Sequence, residues 1–323
     1  MKLQPMQKLS GLLAAGAIVV LAAVVSLGNQ GASAQEPFSI GAKACEECHK
    51  TEVEVWSETT HFKSFRAVHK AENARAIAEA TGDRNMRRNP TCTTCHYTLV
   101  AKEDGTAARA RLGPSCESCH GNASAWLKIH NNFGGADIKV ENEDPAHRTE
   151  RIAQASAAGM LWPAERYDIA ANCMDCHGLA NPALSGETLG QMLGAGHPIN
   201  PDFELVKYSQ GSVRHRFFRP TPNDNKEMTP VELARLFVEG QAAKLVSAAG
   251  AIAKSDNEKY VAAQQKRATD ASAALSAVTS VAEAAALVAD PTEANARNLV
   301  AAIADKDLTG EVGGLLPAKT DYK

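Results

Sequence analysis

The sequence is short of aromatic residues and of net charge, and these shortages narrow what the protein can be. Phe, Trp and Tyr make up 5% of the 323 residues, and 34 Lys and Arg nearly balance 37 Asp and Glu, for a net charge of −3. A nucleic-acid-binding protein would show a basic excess gathered on one face, so we expect no nucleic-acid partner. The length and the 44% hydrophobic content also exclude a minimal disulfide scaffold and a disordered chain, and would support roughly two domains.

Long apolar runs are rare as well, and the one that approaches the length of a membrane span lies at the N-terminus. Lys2 and Lys8 precede an apolar stretch over residues 9–27, and an Ala-Ser-Ala sequence ends at Ala34. This order is typical of a secretory signal. We therefore predict that residues 1–34 are cleaved after Ala34 and that the product is a soluble periplasmic protein. The alternative is an uncleaved anchor, because the run is close to the ~20 residues that cross a bilayer. Membrane contact is otherwise expected only through partners.

Cysteine is absent outside four copies of one pattern, C-x-x-C-H, which we call motifs 1 to 4. In chain order they comprise Cys45, Cys48 and His49; Cys92, Cys95 and His96; Cys116, Cys119 and His120; and Cys173, Cys176 and His177. The pattern is the signature of c-type haem attachment. Two thiols one helical turn apart can each join a vinyl group of one porphyrin, and the adjacent histidine then reaches the iron. The sequence therefore predicts four covalently attached c-type haems, which would also supply the aromatic core that the chain lacks.

Other uses of paired cysteines explain the pattern less well. Disulfides are common in exported proteins, but they do not require a histidine after every second cysteine. A zinc site would need two C-x-x-C pairs per metal and would also leave those histidines unexplained. A thioredoxin-like redox motif normally occurs once in a chain. Haem attachment accounts for the cysteines and the histidines together.

Six histidines remain outside the motifs, against four irons that each have a second axial position. We predict five of them as axial ligands: His61, His130, His147, His197 and His215. His69 lies in a charged helical segment and is expected to be exposed. A methionine ligand such as Met160 would raise the potential and is a weaker alternative. The count predicts that most haem irons have two histidine ligands. Alternatively, one iron is open, or one of the five histidines binds a haem propionate instead of an iron.

Arginine residues flank several of these histidines. They are Arg148, Arg151, Arg214, Arg216 and Arg219. Each haem carries two carboxylates, and guanidinium groups pair well with carboxylates. The arginines are therefore candidates for propionate binding, with a solvated basic face as the alternative.

The absence of cysteine and histidine after His215 marks the clearest boundary in the chain. We predict a mainly α protein in which residues 35–220 form a tetrahaem cytochrome c domain with little regular sheet. Residues 221–310 would form an alanine-rich helical bundle or hairpin domain, and residues 311–323 a flexible tail. The helical domain either caps the haem domain or serves as a docking or oligomerisation module.

Two local signals place helices in this second domain. Residues 229–232, Thr-Pro-Val-Glu, combine a capping box with proline at the first helical position, and residues 290–293, Asp-Pro-Thr-Glu, repeat the device. Residues 256–258, Asp-Asn-Glu, mark a further helix start. Alanine, a strong helix former, occupies 23 of the 64 positions from 241 to 304.

The haem part of the chain resembles the tetrahaem cytochrome c-554 family over roughly residues 40–220. The resemblance is carried by motif 1 followed by Trp56 and His61, by motif 3 within Gly113–Gly121 with His130 downstream, and by motif 4 after Asn172. It implies a mainly helical haem domain, stacked porphyrin pairs, bis-histidine and five-coordinate irons side by side, and periplasmic electron transfer. The segment with His197 and His215 and the alanine-rich tail extend beyond the small family members. These extra histidines would be the natural ligands of an otherwise open second haem.

The expected function is electron transfer between redox partner proteins through closely spaced haems, without catalysis. Motifs 2 and 3 are only 20 positions apart, from His96 to Cys116, so we expect their haems to be neighbours. The alternative function is an enzyme that acts on small nitrogen oxides or hydroxylamine at one open haem. Tyr97 and Arg111 would then be the candidate proton donors.

Overall fold

The computed structural model describes residues 36–102, 105–219 and 221–323, so the predicted secretory signal lies outside the described residues. Residues 37–323 gather into one unit, and most of its regular structure is helical. This confirms the mainly α class, whereas the domain boundaries at 220 and 310 stay predictions. No helix within the three described ranges is both long and apolar enough to cross a bilayer.

The N-terminal part, residues 37–219, is built from short helices joined by turns. They are α1 (Ala42–Glu46), α2 (Lys50–Glu58), α3 (Thr60–Ala67), α4 (Ala74–Ala80), α5 (Pro90–His96), α6 (Cys116–His120), α7 (Leu127–His130), α8 (Pro145–Ala157), α9 (Arg166–His177), α10 (Gly186–Gly194) and α11 (Leu205–Ser209), with 3-10 helices at Val68–Lys70 and Val140–Asn142. Strands β1 (Thr98–Val100) and β2 (Arg109–Leu112) pair antiparallel, with Leu99 opposite Ala110. The part has little sheet, as the sequence predicts.

Capping residues explain where several of these helices begin and end. The Asn89 side chain accepts hydrogen bonds from the backbone of α5, with Pro90 in the first turn, an arrangement that favours a helix start. Asp144 caps α8 in the same way. Gly121 follows α6 with a φ of 84°, a left-handed conformation that favours glycine. These signals fix the lengths of the helices that carry the motifs.

The C-terminal part contains longer helices. They are α12 (Pro230–Ile252), α13 (Glu258–Ser276), α14 (Ala282–Ala289), α15 (Glu293–Ile303) and α16 (Thr309–Val312), with 3-10 helices at Gly313–Leu315 and Lys319–Asp321. The capping box of Thr229 and Glu232 and the Asn257 cap are confirmed. The helix start predicted at Asp290 is wrong: the hydroxyl of Thr292 caps α15, so Pro291 precedes the cap instead of following it.

The two parts differ in how their cores are filled. The largest cluster of buried apolar side chains joins α9 and α11 to the C-terminal helices, and includes Leu287, Leu299 and Ile303 without solvent exposure. Full burial of such a side chain contributes roughly 1.5–3 kcal/mol. The N-terminal part has smaller clusters, for example around Trp126 and around Cys92. Motifs 1 to 3 thus lie outside the largest apolar cluster, whereas Cys173 of motif 4 packs against it.

The last segment, for which the sequence predicts a flexible tail, has defined contacts. Val312 is fully buried, and Leu316 and Tyr322 pack against the large cluster. The backbone N–H of Lys323 donates to the carbonyl oxygen of Lys207 at 3.0 Å. The chain therefore returns to the region just before His215.

Candidate haem-binding sites

The motifs lie at helix ends, where one helical turn brings the two thiols of each to the same side. Motif 2 ends α5, motif 3 forms α6 and motif 4 ends α9, while motif 1 begins in α1 and its histidine precedes α2. Residues three apart on a helix share a face, so both cysteines of a motif can reach one porphyrin edge. None of the eight cysteines, all within the described residues, forms a disulfide.

Each motif histidine has a second histidine opposite it. The ring centroids are 6.1 Å apart for His49 and His130, 6.1 Å for His96 and His197, 6.2 Å for His120 and His215, and 5.9 Å for His177 and His61. A metal–imidazole bond is about 2 Å long, so imidazoles on opposite sides of one iron have centroids roughly 6 Å apart. The angles between the ring planes range from 26° to 83°, so stacking is not what the pairs share. Their common spacing fits an iron between the rings.

Burial keeps several of these rings uncharged. Burial, assisted by neighbouring rings, lowers the pKa of His96, His130 and His177 to about 4. A histidine with such a pKa is neutral at physiological pH, and the neutral imidazole is the form that binds a metal. The rings are therefore in the state that iron ligation needs.

Backbone carbonyl groups orient three of the rings. The Nδ1 atom lies 2.8 Å from the carbonyl oxygen of Leu161 in His120, 2.7 Å from that of Pro198 in His197, and 2.6 Å from that of Val213 in His215. A ring that donates from Nδ1 leaves Nε2 free as an acceptor, and such support of a metal-binding histidine is typical. Nε2 is thus the ring nitrogen that remains available to a metal in these three residues.

His147, predicted as a ligand, does not lie opposite a motif histidine. Its Nδ1 is 2.9 Å from Glu143, whose carboxylate also binds Arg151 at 2.6 and 2.7 Å. Arg151 first, and then His147, lowers the pKa of Glu143 to about 2. Arg151 in turn donates to the carbonyl oxygen of His130 at 2.8 Å. His147 therefore belongs to a polar network behind a paired histidine.

Two further candidates also lie outside the pairs. His69 is exposed, as expected. Met160 is buried with Trp126 in a small apolar cluster, so it fills a core, which is the commoner role of methionine.

Unsatisfied polar atoms test whether the sites fit haem. Six buried side-chain atoms among the described residues have no hydrogen-bond partner: Tyr97 Oη, Trp126 Nε1, His130 Nδ1, Arg214 Nε, Arg216 Nη1 and Arg235 Nε. The first five atoms lie at the histidine pairs. His130 is itself a paired histidine, Trp126 contacts its ring, and the other three residues are sequence neighbours of His96 or His215. Buried donors normally find acceptors, and the two guanidinium groups beside His215 suit a propionate. The sites fit haem.

The other arginines predicted near propionates pair with acids or are exposed. Arg151 pairs with Glu143 and Arg219 with Glu141, and Arg148 is exposed. Arg214 and Arg216 also contact carboxylates, but each keeps one buried N–H group without a partner. These two arginines are therefore the better candidates for a propionate.

Contacts between motifs give their spatial order. A hydrogen bond with the thiol of Cys116 raises the pKa of Cys45, so motif 1 lies beside motif 3. A hydrogen bond with the thiol of Cys176 lowers the pKa of Cys95, so motif 2 lies beside motif 4. Motifs 3 and 4 are joined by Asn172 Nδ2, which donates to the carbonyl oxygen of Ser118 at 2.7 Å. The order is 1–3–4–2.

The expectation that motifs 2 and 3 have adjacent haems stays a prediction. The segment after motif 2 does touch motif 3, because the Thr98 hydroxyl lies 3.0 Å from that of Ser115 and 3.1 Å from that of Ser118. The helices of motifs 2 and 4, α5 and α9, nevertheless pack together. Motif 2 therefore contacts motif 4 through its helix and motif 3 through the segment that follows it.

A metal-ion site built from the motifs is not supported. Within the described ranges, no three His, Cys, Asp or Glu side chains gather in a way that could hold a metal ion. A structural zinc ion needs four such ligands. The histidines instead approach in twos, which suits a haem iron.

Known proteins match the same part of the chain. The family described as cytochrome c554 and c-prime matches residues 44–121, from motif 1 to the end of motif 3. Cytochrome c-554 of Nitrosomonas europaea is 27% identical over 134 residues, which are 39% of this chain and 57% of that protein. From motif 1 to motif 3 the chain is similar to the cytochrome c-554 family. The chain spans just over half the length of the relative that it matches. No solved structure matches the chain.

Some residues that support the sites in this cytochrome c-554 relative carry no recognisable sequence signal. Tyr260 and Gln264, buried on α13, donate to the carbonyl oxygens of Leu179 and Gly178, directly after motif 4, at 2.9 and 2.8 Å. Glu143 supports His130 through Arg151. A polar residue on an alanine-rich helix can equally face solvent, so the sequence does not distinguish Tyr260 and Gln264 from exposed polar residues.

Proposed function

We propose that this protein is an exported tetrahaem electron carrier whose four irons are all held by two histidines. The observation that carries the proposal is that every motif histidine has another histidine opposite it, 5.9 to 6.2 Å away. When bound, each haem supplies an iron that alternates between the ferrous and ferric states. The chain supplies attachment through the motif cysteines, axial ligation through the histidine pairs, and exclusion of water.

Aromatic side chains pack against the histidine pairs of motifs 4 and 1. The ring of Phe203 stacks on His177 with centroids 4.3 Å apart, and Phe203 is buried. Trp126 and Trp162 lie beside His130. Such burial excludes water and, with the ligand type, sets the redox potential.

The order 1–3–4–2 supports transfer along a chain of haems with motifs 1 and 2 at its ends. The end at motif 1 is accessible, because Cys48 is exposed and the side chain of His49 is 49% exposed. It is also acidic: residues 46–58 include five Glu and one Lys. A cationic partner would be attracted to this end.

The end at motif 2 has the opposite charge. A cavity of about 560 Å³ is lined by His69, Arg75, Arg84, Asn85, Met86 and Arg87. Met86 packs in the same cluster as Cys92 of motif 2. Opposite charge at the two ends supports weak electrostatic contacts with two different redox partner proteins. Oligomerisation through the C-terminal helices stays a prediction.

The enzyme alternative would need an iron with one free side. The pairing of His96 with His197 counts against an open haem at motif 2, and Arg111, a candidate proton donor, is exposed. Electron transfer without catalysis is therefore the better-supported function.

Haem counting and spin-state measurements on the purified protein test the proposal. We expect four haems per chain by the pyridine haemochrome assay, and a ferric electron paramagnetic resonance spectrum with low-spin signals only. A high-spin haem that binds nitric oxide would contradict the proposal and favour the enzyme. Export is tested separately, because a periplasmic product that begins at Gln35 is expected from cleavage after Ala34.

A further inference from the structure

His215, which faces His120 of motif 3, lies on an irregular loop over residues 210–229, between α11 and α12. Its Nδ1 lies 2.6 Å from the carbonyl oxygen of Val213, so the direction of the ring follows the path of the loop backbone. Among the described residues of the loop, regular pairing is limited to a single bridge between Phe218 and Thr221. Contacts with other elements must therefore hold the loop.

Part of the loop is held from α12. Asn225 donates to the carbonyl oxygen of Arg214 at 2.6 Å and accepts from the backbone N–H of Arg216 at 2.9 Å. The guanidinium of Arg216 binds Glu232, in the first turn of α12, at 2.7 Å. These bonds fix the residues on both sides of His215 relative to each other.

The start of the loop is held by residues 319–323, which we call the C-terminal latch. The backbone N–H of Ser212 donates to the carbonyl oxygen of Lys323 at 2.7 Å, and the N–H of Lys323 donates to Lys207 at 3.0 Å. Lys323 thus joins α11 to the residues that lead into His215.

The latch also reaches the far side of the loop. The ammonium group of Lys319 pairs with the carboxylate of Glu227, which lies 3.6 Å from the guanidinium of Arg214. The latch therefore contacts the loop before and after His215.

Gly211 makes the close approach possible. A Cβ atom at this position would overlap the backbone of Lys323. The φ of Gly211 lies outside the left-handed region, so the glycine is required by the contact and not by the backbone conformation. The sequence of the loop is thus adapted to the latch.

We propose that the C-terminal latch positions His215 opposite His120 and so keeps the iron of motif 3 coordinated on both sides. The inference rests on the ligation given under the proposed function. The latch contains no histidine, methionine or cysteine, so its residues act through the loop and not as ligands.

The variant Gly211→Ala, made in the haem-loaded protein, tests the latch. We expect the added methyl group to displace Lys323, and one of the four haems to become high-spin and to bind carbon monoxide in the ferrous state. Gly314→Ala is the matched control, because a Cβ there meets nothing within 4 Å. All four haems should stay low-spin in the control.

Removal of residues 319–323 is the second variant, since it leaves Gly211 unchanged. We expect the same high-spin signal, together with faster hydrogen exchange at the Ser212 amide. A latch that only stabilises the fold would lower the melting temperature of both variants without a change of spin state. That outcome would overturn the proposal.

The variant His215→Ala separates this inference from the proposed function. If it leaves all four haems low-spin, the ligation of motif 3 by His215 is wrong, and the latch proposal falls with it. If it produces one high-spin haem while both latch variants remain low-spin, the latch proposal alone is overturned. Equal high-spin signals in all three variants are the expected result.

Discussion

The two parts of the molecule are both helical, but they are filled by different means. In the C-terminal part, residues 230–312, side chains such as Leu287, Leu299 and Ile303 are wholly buried in one cluster. In the N-terminal part the apolar clusters are small, and eight histidine rings approach each other in pairs across gaps that suit an iron. One part is completed by its own side chains, whereas the other is arranged around a group that the chain must acquire.

Polar groups also join the two parts, beside the apolar cluster that α9 and α11 share with the C-terminal helices. Arg267 is almost fully buried, and it donates to the carbonyl oxygen of Gly178 at 3.5 Å, to Gln264 at 2.5 Å and to Ser247 at 3.1 Å. Lys254 donates to the carbonyl oxygens of Ala180 and Asn181, just beyond motif 4, at 2.8 and 3.0 Å. Buried polar groups are costly unless they are paired. A satisfied polar contact therefore fixes one orientation of the helix that ends in motif 4.

Withholding the haems should have the largest effect, and it should change hydrogen exchange in the N-terminal part much more than in the C-terminal part. When the chain is made without its secretory signal, so that c-type attachment does not occur, we expect fast hydrogen exchange over residues 37–219. Slow exchange should persist in α12 to α15, because their core consists of protein side chains. Mass spectrometry of peptide fragments measures both. Equal loss of protection in the two parts would show that the C-terminal core also depends on haem.

Shortening a buried side chain in the C-terminal core should produce the next largest effect. Leu299→Ala removes a fully buried side chain, and we expect a loss of about 3 kcal/mol in the free energy of unfolding. The haem absorption spectrum should not change. Leu315→Ala is the control, because Leu315 is 49% exposed and its loss should cost about 0.5 kcal/mol or less. Urea titration followed by circular dichroism compares the two, and similar losses would contradict the assignment of the core.

Breaking the ion pair between the parts should cost somewhat less. Both carboxylate oxygens of the buried Glu239, on α12, accept from Arg166, on α9, at 2.6 Å. Loss of one partner from a fully buried pair costs about 3–5 kcal/mol, and we expect about 2 kcal/mol for Glu239→Ala because Arg166 keeps access to water. Glu293→Ala, at an exposed ion pair with Arg297, should cost about 0.5 kcal/mol or less. Thermal unfolding measures both. An equal effect would show that the inter-part pair is no more than a surface contact.

The features that the sequence predicts best are local ones. The attachment motifs, the capping box at Thr229 and the Asn257 cap depend on residues a few positions apart, so the chain itself contains the information. The histidine pairs do not: His61 faces His177 and His120 faces His215 across long stretches of chain. Which spare histidine serves which motif is decided by tertiary packing.

His147 shows the same limit of prediction from sequence, because it is a candidate ligand that lies outside the histidine pairs. By residue type it is a candidate ligand like His130, but Asp144 caps α8 and the His147 ring binds Glu143. The contact of Lys323 with Gly211 was equally beyond the sequence, because it is made by backbone atoms. Long-range contacts of this kind have no local pattern to reveal them.

The smallest expected effect is a pH dependence confined to the C-terminal part. The carboxylate of Glu311 accepts from the backbone N–H groups of Thr279 and Ser280 at 2.5 and 3.0 Å, and from the Ser280 hydroxyl at 2.7 Å. These bonds, that of the Ser280 hydroxyl first, lower the pKa of Glu311 below its ordinary value of 4.5. The folded state therefore binds this proton less readily than the unfolded state. The stabilisation is present above pH 4.5 and is lost as the pH falls through the folded-state pKa.

The variant Glu311→Gln should accordingly be less stable than the parent protein by about 1 kcal/mol at pH 7, and the difference should be smaller at pH 3. Urea unfolding followed by circular dichroism at both pH values measures it. A difference of equal size at pH 3 and pH 7 would show that the charge of Glu311 is not involved. Because Glu311 joins α16 to the turn before α14, far in sequence from every motif, the low-spin haem spectrum should stay the same throughout. A change in that spectrum would mean that Glu311 is coupled to the haem sites through the cluster that α9 and α11 share with the C-terminal helices.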